Sequence, residues 1–233
     1  MTVVGRVAGL WRYPVKSMAA EELDGVEVSW HGLAGDRRWA FIRGGQAHSG
    51  FPWLTIREHP ELAHYRPRFT EPDRPNASPA KVRTPAGGEF DVADPALAAE
   101  LGPGVRVIKQ DRGVFDTMPL SLLSTQALAG LGRLVGTDLA AVRFRPNFLV
   151  DVPGLDFPED AWLGRVLRIG GLRMRVDLRD RRCVMVTIDP VTLQRAREVL
   201  RTIAQERDTL FGVYGTAVEP GRVTVGDPVE LEP

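Results

Sequence analysis

Residues 3–13, Val-Val-Gly-Arg-Val-Ala-Gly-Leu-Trp-Arg-Tyr, are rich in β-branched and aromatic side chains. They are expected to form a strand that Pro14 closes, because proline cannot donate to a ladder. Val26-Glu27-Val28-Ser29-Trp30 alternates apolar and polar positions, as a half-buried strand does. Turn-like residues 31–36 lead to a strand over Arg38–Ile42, which Gly44-Gly45 ends. Short strands near Val82 and Phe90 flank Gly87-Gly88, and Val105–Gln110 makes another. In the second half, Leu120–Leu123 is a buried run. Arg143–Val150 is an apolar strand region that Pro146-Asn147 interrupts. Val166–Val176 gives two short strands about Gly170-Gly171, and Phe211–Val218, Arg222–Val225 and Val229–Leu231 finish the chain.

Helical spacing is scarcer. Asp94-Pro95 caps and opens a helix that runs to about Leu101. Ser124-Thr125 caps another over Gln126–Arg133. Thr192–Glu206 carries Leu193, Ala196, Val199, Leu200 and Ile203 on one face. Thr55–Leu62 is expected to be a short helix broken at His59-Pro60, and residues 71–80 form a proline-rich loop. Many short strands, frequent Gly/Pro turns and few short helices predict a mainly β, barrel-like architecture. We expect two closely packed β-rich parts, residues 1–110 and 111–233, joined near 92–112. The polar patches should converge in the groove between them, since ligand sites favour such interfaces.

Composition narrows the function. Lys+Arg and Asp+Glu balance at 30 each, so no global field draws nucleic acid or an anionic membrane. Nearly all the positive charge is arginine, whose planar fork of donors suits phosphate and carboxylate. No stretch approaches the ~20 apolar residues of a membrane span, and no secretory signal is evident at Met1–Leu10; a cytoplasmic protein is the default expectation. One cysteine excludes an internal disulfide and a cysteine-held iron–sulfur cluster. That cysteine, Cys183, follows Arg181 and Arg182. Cationic neighbours favour a thiolate, which is the nucleophile and metal ligand. On this stretch alone, Cys183 is equally a small buried hydrophobe.

Familiar catalytic motifs are absent. There is no Gly-x-Gly-x-x-Gly, no P-loop, no zinc-ligand spacing among the four histidines and no Gly-x-Ser-x-Gly elbow. Polar patches at strand ends remain: Lys16-Ser17, Asp36-Arg37, Thr55-Ile56-Arg57, Asp116-Thr117, Arg145-Pro146-Asn147, Arg182-Cys183 and Tyr214. Singly, each reads as a solvated loop. Asp36-Arg37 would be a local ion pair worth little, and loop arginines such as Arg37 and Arg145 should add little to folding.

In order and wording, however, these phrases resemble the MOSC superfamily, named for the C-terminal domain of molybdenum cofactor sulfurase. The likeness is to the branch with an N-terminal β-barrel region, which includes the amidoxime-reducing components. It rests on Leu10-Trp11-Arg12-Tyr13-Pro14-Val15-Lys16-Ser17, Gly35-Asp36-Arg37-Arg38-Trp39 and Asp116-Thr117. It continues through Phe144-Arg145-Pro146-Asn147, Arg182 to Pro190, Leu210 to Gly215 and Val225 to Val229.

The resemblance implies an N-terminal MOSC β-barrel domain over 1–110 and a MOSC domain over 111–233. It makes Cys183 the thiolate ligand of molybdenum in a molybdenum–molybdopterin cofactor, a soft donor beside two dithiolene sulfurs. Lys16, Ser17 and Arg37 would contact the terminal phosphate or pterin. Arg145 and Asn147 would hold it from the other domain, with Thr117, Arg182 and Tyr214 lining the site. Asp116 would position water or relay a proton. Met118 departs from the serine that often follows the Asp-Thr pair in relatives acting on N-hydroxylated compounds. The implied activity is an oxidoreductase removing oxygen from such compounds, with electrons from a separate flavin or iron–sulfur protein. Two alternatives use the same residues: a sulfur carrier with a persulfide on Cys183, and a non-catalytic cofactor-binding module. A pyridoxal-phosphate enzyme would need a Schiff-base lysine, and only Lys16 stands in a site-like phrase.

Overall fold

The first strand, Thr2–Arg12, finds its partners far along the chain. It pairs antiparallel with Pro228–Leu231 on one side and with Phe148–Asp151 on the other. In the computed structural model, which describes residues 1–154 and 156–233, this closes a barrel of seven strands. Round the barrel run Thr2–Arg12, Phe148–Asp151, Leu120–Ser124, Leu210–Glu219, Leu172–Arg181, Val166–Ile169 and Pro228–Leu231. Within the barrel, among the described residues, Leu120–Ser124 and Phe148–Asp151 are the one pair that runs parallel. Helix α2, Thr125–Val135, makes the crossover that a parallel pair needs. Closure removes the unpaired edges that an open sheet would expose.

Alternation along the strands fills one core. Leu10, Leu122, Phe148, Val150, Leu167, Ile169, Met174 and Val213 are all fully buried in it. Each such side chain contributes roughly 1.5–3 kcal/mol. Val26, Val28, Leu33 and Val223 join it from the three-stranded sheet of Gly221–Thr224, Gly25–Ser29 and Gly32–Leu33.

A second core lies under the antiparallel pair Trp39–Ile42 with Arg106–Lys109 and the hairpin sheet Arg66–Phe69, Ala80–Arg83 and Glu89–Asp91. Helix α1, Pro95–Leu101, packs Leu97 and Leu101 into it, and the Asp94 side chain caps the helix by accepting from Ala96 N. Ile188 comes from the second half of the chain yet is buried in this core. The segment just after Cys183 is thereby anchored in the first part. A third core joins α2 to α3, Arg197–Arg207, through Leu131, Phe144, Val199, Ile203 and Phe211. Among the described residues no helix is long and apolar enough to cross a membrane.

Three expected elements differ. Residues 56–58 turn, and Pro60 then starts a 3-10 helix over Pro60–His64, where proline's missing N–H costs nothing. Helix α3 begins at Arg197 rather than Thr192. Asp189 accepts from the backbones of Val191 and Thr192, Leu193 has φ +61°, and Ala196 N bonds back to Thr187 O. The apolar spacing runs on unbroken, but Leu193 packs on the second core and Val199 on the third. Finally, only Phe148–Asp151 of the 143–150 region is strand; Ala141–Phe144 is a 3-10 turn.

Gly215, on the strand Leu210–Glu219, pairs with Val176 of the strand Leu172–Arg181. A Cβ there would meet Arg175 O at 2.2 Å. Gly215→Ala is expected to destabilise the fold by ~1–3 kcal/mol through backbone displacement. Thermal unfolding checks it, and an unchanged melting temperature would contradict this close packing.

Candidate functional site

Asp36 is fully buried. Its Oδ1 accepts from the Tyr13 backbone N–H at 2.7 Å, and its Oδ2 accepts from Asn147 Nδ2 at 3.2 Å and from Arg37 Nη1. The loop after the first strand, the 35–37 turn and the Arg145-Pro146-Asn147 turn thus meet on one carboxylate. Asn147 also donates to Trp11 O and accepts from Ser121 N, so its amide is engaged by protein groups throughout. Tyr13 is equally buried, and its hydroxyl donates to Pro146 O. Burial pushes that hydroxyl up to about 12, although Arg145 and Arg37 pull the other way. Both guanidiniums lie over the Tyr13 ring, at 4.1 and 4.6 Å from its centroid. The ion pair expected to be worth little is therefore buried, and Arg37 and Arg145 are structural as well as polar.

These residues form one wall of a pocket of about 200 Å³. Its lining contains every residue to which the family resemblance gave a role, Lys16, Ser17, Arg37, Asp116, Thr117, Arg145, Asn147, Arg182, Cys183 and Tyr214, whereas Asp36 and Thr55 of the polar patches lie outside it. Ser17, Arg37 and Arg145 all adopt positive φ, at 67°, 48° and 54°. Left-handed non-glycine residues cost of order 1–3 kcal/mol and gather at functional sites. Seven cationic side chains line the pocket (Lys16, Arg37, Arg57, Arg143, Arg145, Arg181, Arg182) against two carboxylates, Asp116 and Asp180. Burial, and to a smaller extent the neighbouring Arg37, hold Arg145 down at about 10, and burial lowers Lys16 although Asp116 raises it. Nη2 of Arg145, Nη2 of Arg182 and Oγ of Ser121 are buried with no protein partner. Such groups are costly to leave unpaired, and here they belong to pocket-lining residues.

Cys183 is half-buried, just before the 3-10 turn Val184–Thr187. Arg57 Nη2 reaches its sulfur at 3.5 Å from the first part of the chain. Arg182 points away from the sulfur: it donates to Phe211 O and Phe144 O and lies 2.8 Å from Asp180 Oδ2. Lys16 Nζ donates to Val114 O and, at 2.5 Å, to Asp116 Oδ1, whose carboxylate is partly in solvent. Thr117 is exposed near the mouth. Among the described residues no three His, Cys, Asp or Glu side chains gather as metal ligands. A metal at Cys183 would have to arrive with its other ligands.

Among the polar lining residues to which sequence reasoning gave no site role are Arg57, Ser121, Arg143 and Asp180. Arg57 stood in a polar phrase, but nothing in the chain order brings it to a cysteine 126 residues away. Asp180 lies in the charged run Arg179-Asp180-Arg181-Arg182, where nothing local marks it as buried.

The fold and site define a class: a closed barrel whose seam with a smaller β-rich part holds an anion-attracting pocket edged by a single thiol. Known proteins agree. The MOSC domain family matches residues 109–230, and the MOSC N-terminal β-barrel domain family matches residues 4–94. The chain belongs to the MOSC-domain family. Human mitochondrial amidoxime-reducing component 1 is 33% identical over 130 residues, 50% of this chain but 37% of that protein. A molybdenum cofactor sulfurase from Drosophila erecta is 29% identical over 266 residues, covering 95% of this chain and 32% of that protein. This chain thus spans only about a third of these relatives. The YuaD protein of Bacillus subtilis has the same fold, with TM-score 0.55 over 98% of this chain and 95% of that one at 14% identity.

Asp180 gives the pocket a pH signature. Burial pushes its carboxyl up to about 6 from 3.8, with Arg182 and the Tyr214 hydroxyl opposing. A raised carboxyl is favoured in the protonated form when folded, so its contribution is full below 3.8 and is lost as pH rises through 6. Asp180→Asn removes that dependence. Unfolding free energies from denaturant titrations at pH 4 to 7 should show the variant gaining on the wild type by about 2 kcal/mol over this window. A constant difference would contradict the raised value.

Proposed function

We propose that the pocket holds a molybdenum–molybdopterin cofactor, with Cys183 as a ligand of the metal, and that the protein reduces N-hydroxylated compounds. One observation carries the reading: a lone thiol stands at the edge of a pocket with seven cations and two carboxylates. That donor set fits an anionic group that brings its own sulfur ligands to the metal. The unpartnered donors on Arg145, Arg182 and Ser121 fit its phosphate and ring oxygens. Lys16, Ser17, Arg37 and Arg145 would hold the cofactor by charge, while Asn147 fixes the wall behind them. Arg182, Thr117 and Tyr214 would line the space around it.

When bound, the cofactor supplies a two-electron couple that removes oxygen from nitrogen. The overall change takes two electrons and two protons and releases the amine or amidine and water. The chain's own part is positional and electrostatic. Arg57 holds the sulfur of Cys183 from across the seam. Asp116 stands partly in solvent and bonds to the buried Lys16 Nζ, so the pair links bulk water to the pocket as a proton path. The electrons come from a separate protein.

The sulfurase likeness across 95% of the chain supports a second reading, in which Cys183 carries a persulfide. One experiment separates the two. Wild type and Cys183→Ser, each prepared with and without molybdate, are assayed for molybdenum, for reduction of an N-hydroxylated amidine and for cyanide-releasable sulfur. The reductase reading expects activity that tracks molybdenum, is lost in Cys183→Ser and comes with no releasable sulfur. Releasable sulfur on metal-free wild type, with no reduction by the loaded form, would sink it in favour of sulfur carriage.

A further inference from the structure

On the other side of Arg145 lies a larger groove, of about 1050 Å³, and Arg145 lines both cavities. One side of it is the hairpin Arg66–Phe69 with Ala80–Arg83. Register sets Arg66 directly opposite Arg83 and Arg68 directly opposite Lys81. Like charges facing each other across a strand pair repel and destabilise. Lys81 is relieved by Glu89 at 3.0 Å. Arg66, Arg68 and Arg83 have no carboxylate within 4.0 Å among the described residues, and all three line the groove. The acids nearby do not offset them. Glu21 is held by Arg12 at 2.9 Å, and Glu22 stands alone on the rim. Trp11 adds an aromatic surface to the same groove.

A repulsive cluster kept on a concave surface is a site for an anion that the fold itself does not supply. We propose that this groove binds a nucleoside phosphate, its phosphate on Arg66, Arg68 and Arg83 and its base against Trp11. Arginine forks match phosphate oxygens, and a flat ring matches a base. The volume suits a small ligand. The chain's net charge of zero gives no field for a long polyanion. The assignment does not rest on the cofactor reading. The nucleotide is either free or the arm of a larger pterin cofactor that passes Arg145.

The test is titration calorimetry of metal-free protein at low salt with GMP, CMP and inorganic phosphate. The proteins are wild type, Arg66→Ser/Arg83→Ser, Trp11→Leu and Lys81→Ser. A mononucleotide should bind wild type and Lys81→Ser alike, and the double arginine variant at least about tenfold more weakly. Trp11→Leu should weaken mononucleotide but not phosphate. Because the like-charge pair Arg66–Arg83 is relieved, the double variant should melt at or above the wild-type temperature. If the double variant yields no folded protein, Arg83→Gln replaces it with the same expectations. No heat from either mononucleotide up to about 5 mM, where binding would be worth only a few kcal/mol, overturns the proposal. So does phosphate binding as tightly as nucleotide, or a fall in melting temperature in the arginine variants. For protein loaded with molybdenum, one nucleotide released by acid per metal identifies the cofactor arm as the source. Nucleotide binding without such release identifies free nucleotide.

Discussion

A single buried carboxylate holds the candidate site together. Asp36 sits at the end of the barrel and satisfies a backbone N–H, an amide and a guanidinium from three separate segments. A buried charge is tolerated only when it is paired and hydrogen-bonded. Meeting that requirement fixes Tyr13, Arg37 and Asn147 relative to one another. With them come the Lys16-Ser17 loop on one side and Arg145 on the other. The left-handed backbones of Ser17, Arg37 and Arg145 are held by this network rather than by local preference.

The opposite wall is fixed by packing. Cys183 follows a long barrel strand, and Ile188, five residues on, is buried in the core of the first part. The chain is pinned on both sides of the thiol, and Arg57 meets it across the seam. Between these walls positive charge is concentrated beyond what the fold neutralises. Two devices make that bearable. Guanidiniums stack on Tyr13, Phe144 and Phe211, and Asp36, Asp116 and Asp180 each take one cation. What is left over is an electrostatic preference for an anion in the pocket.

Much of the fold was legible from the sequence, because strands with one buried face alternate and because proline and glycine mark their ends. The cap and start of helix α1 are readable from Asp94-Pro95, and its expected end near Leu101 agrees. The start of α3 was not: Leu193 keeps helical spacing while its backbone turns left-handed to serve a different core. The site residues could be named because their phrases match a family, and the structure brings them into one pocket. Their energetic roles could not be named. Whether Asp36-Arg37 is a surface pair or a buried hub depends on segments more than a hundred residues away, and a local reading has no access to them. Arg57, which meets Cys183 across 126 residues, was passed over for the same reason.

The central claim is that Cys183 serves the cofactor in this pocket. The most direct measurement is the rate at which iodoacetamide alkylates Cys183 in protein loaded with molybdenum and in the same protein stripped of it. Cys183 is the only thiol, so the signal has one source. The account predicts a half-buried cysteine that reacts in the stripped protein and is shielded in the loaded one. Equal rates in the two, with molybdenum demonstrably bound, would contradict it.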